Sequence, residues 1–150
     1  MPTRKQLSDN WSFEMSFPEL RRDEPYKKDR LTKKIGTQNQ PFPQKVVYIA
    51  HAIGGNIADN VTDLKRIYQT ICLTRYDVVP FCPYLADVLS LYDNVAEHRK
   101  RGINNNWIHF ARNSFDELWL TGPVVSDGMN TEIAWAELYR IPVHNYINYF

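Results

Sequence analysis

Five consecutive apolar positions, Val46-Val47-Tyr48-Ile49-Ala50, open the regular part of the chain. A run this short and this continuous predicts a strand buried on both faces. His51 to Asn56 follows as a turn. Ile57, Val61, Leu64, Ile67 and Ile71 then recur at spacings of three and four, which predicts an amphipathic helix. Asp77-Val78-Val79-Pro80-Phe81 reads as a second strand, closed by Pro80 and Pro83. Tyr84 to Phe115 is mostly helical, with a break expected near Gly102 to Asn106. Asp116 to Gly122 supplies a third strand. Met129, Ile133, Ala136 and Arg140 share one side of the next helix, whose inner face includes Trp135 or Tyr139, and Ile141 to Tyr146 supplies a fourth strand.

Strands alternating with helices of this length imply a parallel sheet joined by right-handed crossovers. The expected fold class is α/β, a three-layer sandwich of flavodoxin-like type with four to five strands. Residues 1–44 differ in character and are expected to form an arm outside the 45–150 domain. There Arg and Lys alternate with Asp and Glu, and Pro18, Pro25, Pro41 and Pro43 interrupt any helical pattern. Trp11, Phe13, Phe17 and Phe42 make the segment more aromatic than a solvating tail. It reads either as an arm packed on the core or on a neighbouring subunit, or as a basic partner-binding extension.

Composition narrows the function classes. A chain of 150 residues with 43% hydrophobic content suits one globular domain. Lys+Arg 18 against Asp+Glu 17 leaves a net charge of +1, so no strong field recruits nucleic acid or a membrane. The two cysteines, Cys72 and Cys82, show no disulfide framework and read as reduced thiols in a cytoplasmic setting. No apolar run approaches the ~20 residues of a membrane span, and the N-terminus carries no apolar signal-peptide core.

Candidate chemistry concentrates where the third strand passes through a polar turn into a helix. There Ser126, Gly128 and Glu132 gather at a helix N-terminus beside a strand's carboxyl end, where open α/β sheets bind ligands. A carboxylate in a first helical turn is stabilised by about 0.3–1 kcal/mol, which favours the ionised form of Glu132. That form serves a nucleophile at an anomeric carbon or a counter-charge to an oxocarbenium-like transition state. The alternative is a helix-favouring surface glutamate. Ser126 and Asp127 are good N-cap types whatever the function. Gly128 suits a turn conformation closed to most residues, and the N–H groups of the turn suit a phosphate or a sugar hydroxyl.

The loop after the first strand faces the same sheet edge. Gly54 and Gly55 permit close approach of a phosphate or base, without a G-x-G-x-x-G fingerprint. His51 reads as a substrate contact or a satisfied structural histidine, and Asn56 as a ligand contact or a helix cap. His98, His109 and His144 share no metal-ligand spacing, and no metal or cofactor is expected. P-loop and G-x-S-x-G signatures are both lacking.

The segments Val46 to His51 with Gly54-Gly55-Asn56, Glu97 to Gly102, Phe115 to Glu132, and Ile133-Ala134-Trp135-Ala136 with Ile141-Pro142-Val143 carry a resemblance over roughly Lys45 to Tyr146. They resemble the nucleoside 2-deoxyribosyltransferase-like superfamily, whose look-alikes include small phage and bacterial proteins of unassigned activity. These are built like deoxyribosyltransferases and 2'-deoxynucleoside 5'-monophosphate N-glycosidases. The resemblance implies that Glu132 is the nucleophile on deoxyribose. It implies that Ser126 helps bind sugar or phosphate, with Gly128 and Met129 beside it, and that Tyr48, Gly54 and Gly55 line the pocket. It also implies that neighbouring subunits complete each site, in a homodimer or larger homo-oligomer.

One departure concerns an aspartate that such proteins place about two helical turns before the third strand. Here Trp107-Ile108-His109 offers no carboxylate, and Asp93 or Asp87 would have to substitute. The expected function is therefore N-glycosidic cleavage or deoxyribosyl transfer on a nucleoside or nucleotide. Its alternatives are a non-catalytic nucleotide-binding protein on the same scaffold and NAD glycohydrolase-type cleavage.

Overall fold

The computed structural model describes residues 45–150, and the expectations for the arm lie outside them. Its elements run β1 (Lys45–Ala50), α1 (Ile57–Thr74), β2 (Val78–Phe81), α2 (Tyr84–Ser90), α3 (Ala96–Ala111), β3 (Glu117–Leu120), α4 (Asp127–Leu138) and β4 (Val143–Asn145). All strand pairs are parallel, in the order β2-β1-β3-β4. This is the expected α/β architecture of flavodoxin-like type, with four strands.

The register explains why β1 is apolar throughout. Tyr48 lies opposite both Phe81 and Leu118, and Ala50 lies opposite Leu120. These residues face one helical layer, where Phe110 of α3 and Met129 and Ala136 of α4 complete a buried cluster. The alternate positions, Val47, Ile49 and Trp119, face the other layer and pack on Leu64, Ile67 and Ile71 of α1. A central parallel strand covered on both sides has no polar face to offer. Asp116 fixes the start of the β1–β3 ladder, because its carboxylate accepts the Val46 N–H at 2.8 Å while its own N–H donates to the Val46 carbonyl.

Two expectations are corrected. The helical break falls at Leu91 to Val95, and Gly102 to Asn106 are regular helix. Gly102 serves packing instead: a Cβ there would meet a Leu91 methyl at 3.7 Å and the Asp87 Cβ at 4.0 Å, so its bareness lets α3 lie close to α2. Arg140 lies beyond α4 with φ 59, so it is not part of the helix face. Its left-handed conformation ends the helix, and the Ile141 N–H reaches back to the Ala136 carbonyl at 2.8 Å.

Candidate functional site

The chain leaves β1 toward β2 on one side and returns to place β3 on the other. The loops after β1 and β3 therefore diverge, opening a crevice at the carboxyl ends of the strands. A cavity of about 630 Å³ occupies this place, within the range of small-molecule sites. Its walls are the loop after β1, the α2–α3 region, and the first two turns of α4.

Glu132 stands in the second turn of α4, not the first, because the helix begins at Asp127. Its carboxyl edges the cavity, while its Oε2 is sealed from solvent with no hydrogen-bond partner. Burial pushes its pKa up to about 8, against a smaller opposing effect of the Tyr48 hydroxyl. The expectation that the helix terminus keeps it ionised is thus overturned. The terminus acts over one turn, whereas desolvation acts on the whole buried group.

Tyr48 lies one layer beneath the cavity wall and is fully buried. Its hydroxyl sits 2.9 Å from the Asn106 Oδ1 and 2.7 Å from the Nδ2, so it is engaged with that amide rather than with the Glu132 Oε2. Burial, followed by the neighbouring Glu132, raises its pKa well above the usual phenol value. Tyr84 donates to the Ile49 carbonyl at 2.6 Å, and burial raises it likewise. Burial also pushes the Cys82 thiol up to about 12.

The structure brings most of the sequence-predicted residues to the cavity: His51, Gly54, Asp93, Ser126, Gly128 and Met129 join Glu132 in its walls. Tyr48, Gly55 and Asn56 are not among the lining residues. Gly55 holds φ 88 in the turn, and the Asn56 side chain caps α1 by accepting the Asp59 N–H at 3.2 Å. His51 is buried with both ring nitrogens engaged, Nδ1 at 2.7 Å from the Ala52 carbonyl and Nε2 at 2.8 Å from Asp63. Its ring packs so closely on Gly122 that a Cβ there would lie 2.8 Å from Nε2. Ser126 caps α4, its hydroxyl accepting the Met129 N–H at 3.3 Å. Gly128 is ordinary helix; among the described residues, the glycines with positive φ are Gly55 and Gly122.

Asn106, Tyr84, His98 and Trp135 also line the cavity and escaped the sequence reading. Asn106 had a legible signal, since Gly102, Asn106 and Phe110 share one face of α3 and a polar side chain interrupts that inward stripe. The α3 residues at the cavity include no carboxylate, while Asp87 reaches it from α2 and accepts from the Asn105 Nδ2 at 3.2 Å. Asp93 is an exposed residue, 4.0 Å from the Arg99 Nε.

Fold and cavity together define a three-layer α/β protein with a crevice at its topological switch point. A family model described as Domain of unknown function (DUF7768) matches residues 45–146, and the chain belongs to that family. No curated protein and no solved structure matches it.

Proposed function

We propose that the cavity binds a nucleoside or nucleotide and that Glu132 cleaves its N-glycosidic bond. The observation that carries this reading is the Glu132 carboxyl at the switch-point cavity, with one oxygen buried and unpartnered. A buried polar atom without a partner costs roughly 1–3 kcal/mol, more when charged. Sites that retain such a cost are commonly functional.

In the proposed step, a carboxylate oxygen of Glu132 bonds to the anomeric carbon. The carbon–nitrogen bond breaks, and its electron pair leaves with the base. Water, or a second base in a transfer reaction, then displaces the carboxylate. Tyr48 and Asn106 position the floor against which Glu132 rests.

Incubation with deoxynucleosides and their monophosphates should release free base, read by chromatography. Glu132→Gln should lower the rate by about three orders of magnitude. Equal traces from the two proteins would remove the assignment.

The absence of a carboxylate from the α3 residues at the cavity favours one second reading, a nucleotide-binding protein without turnover. It predicts a ligand-induced rise in thermal midpoint with no base released. Two further elements belong to the proposal: a homo-oligomer in which a neighbouring copy covers the cavity mouth, and a reducing, cytoplasmic setting that suits the free thiols of Cys72 and Cys82. Among the described residues, no helix is long and apolar enough to cross a membrane.

A further inference from the structure

The described residues around the cavity carry unequal charge. Asp87 comes from α2, Asp93 from the segment before α3 and Asp127 from α4, with the buried acid Glu132 beside them, against a single guanidinium, Arg99, and no lysine. Arg99 already leans on Asp93. His51 has both ring nitrogens engaged, and the His98 Nδ1 accepts the Tyr92 N–H at 3.0 Å. The α4 N-terminus is poorly free for an anion, since Ser126 takes the Met129 N–H and Asp127 sets a carboxylate there. Three aromatic side chains, Tyr84, Tyr92 and Trp135, stand in the same walls, and aromatic faces attract cations.

We infer that this cavity selects a positively charged, unphosphorylated N-glycoside, a nucleoside whose base carries a quaternary ring nitrogen. The inference rests on the glycosidic reading above and narrows its substrate. A phosphate in this cavity would face several carboxylates with one shared guanidinium to offset them. A cationic ring meets the opposite situation.

The bond cleavage suits such a substrate equally well. When a neutral base departs, its nitrogen must take up a proton, and an acid must supply it. With a quaternary nitrogen, the electron pair of the C1'–N bond neutralises the ring, and the base leaves with no proton transferred. Glu132 then has one task. Its carboxylate oxygen bonds to C1', and water later adds to C1', releasing the sugar and regenerating the carboxylate with a proton passed to solvent.

Tyr48, Tyr84 and Cys82, which face Glu132 from β1, α2 and the turn before α2, are all kept neutral by burial. An arriving cation is therefore a new charge beside the acid and favours its ionised form. Binding near neutral pH releases the proton that burial retains.

Titration calorimetry on the Glu132→Gln protein, which does not consume its ligand, compares three probes. These are nicotinamide riboside, its neutral carbon-linked benzamide counterpart, and nicotinamide mononucleotide. The cationic riboside should bind about tenfold or more tighter than either, with the advantage shrinking in about 0.5 M salt. An Asp87→Asn/Asp127→Asn pair in the same background should narrow it further. Wild type mixed rapidly with the riboside should release a proton in the binding phase, before free nicotinamide appears, and none with the benzamide analogue. Equal affinity for the neutral analogue, tighter binding of the mononucleotide, or no binding of any probe overturns the inference. Selective binding of the cation without nicotinamide release supports it while sinking the glycosidic reading. Base release from neutral deoxynucleosides with no preference for the cation does the reverse.

Discussion

Glu132 sets folding and chemistry against each other. Its folded-state pKa is raised to about 8 by burial, above the roughly 4.3 of a free glutamate. An acid with a raised folded pKa binds its proton more tightly in the native state, so stability declines as pH rises through that interval and levels off above it. The loss is on the order of 5 kcal/mol across the window. Denaturant titrations at pH 5, 7 and 9 should show this decline in wild type and a flatter profile in Glu132→Gln. Nucleophilic attack needs the carboxylate, so kcat/KM for base release should climb over the same upper range, approaching a plateau above about pH 8. A flat stability profile in wild type would show that the carboxyl is not desolvated as described.

The protonation state of this residue was not legible in the sequence. Its position near a helix start was, and that position alone argues for a charged group. The opposing effect is desolvation by side chains brought around it from elsewhere in the chain, and no local pattern announces their convergence. Asn106 is the contrasting case, a polar residue on an apolar helical stripe whose signal was present and unread.

At the scale of elements, the turn between β3 and α4 depends on Gly122. Its φ of 83 belongs to the left-handed region, and the His51 ring occupies the space a side chain would need. Gly122→Ala should therefore destabilise the fold by about 2 kcal/mol or more, combining backbone strain with displacement of a buried ring that also holds Asp63. Thermal or chemical denaturation measures this. A loss below about half that size would mean that His51 shifts freely.

The elements themselves were largely readable, because buried parallel strands leave a continuous apolar signature and α1 an amphipathic one. The break between α2 and α3 falls at Leu91 to Val95 rather than near Gly102, because a glycine inside a helix also serves close packing. In the structure Gly102 is a contact point within a helix, and Leu91 turns the chain. Gly128 has helical geometry, whereas Gly122, at a strand end, carries the conformational demand.

At the scale of the whole molecule, the strand order places the cavity, and exposed apolar side chains stand among its walls. Tyr92 and Ile103, which line the cavity, are 68% and 49% exposed, and Leu89, next in the chain to the lining Val88, is 69% exposed. Such a patch suits coverage by another copy of the chain. Sedimentation equilibrium should then report at least two copies of the 17.7 kDa chain, and Leu89→Asp with Tyr92→Asp should shift the particle toward one copy. A wild-type mass of one chain at micromolar concentration removes the oligomer from the proposal. The parallel sheet followed from alternating element types, while the strand order that makes the switch point did not. The shape of the mouth did not, because it depends on how α2 and α3 are set against each other.

Tyr48 is at once a rung of the central strand, a member of the larger core cluster and the support beneath Glu132. The chamber's floor is therefore inherited with the architecture, and drift there is punished as misfolding before it can alter ligand choice. The Leu91–Val95 segment, partly to fully open to solvent, carries no such double duty. Divergence among descendants of this scaffold should collect along that rim, where new appetites can be tried at little structural risk.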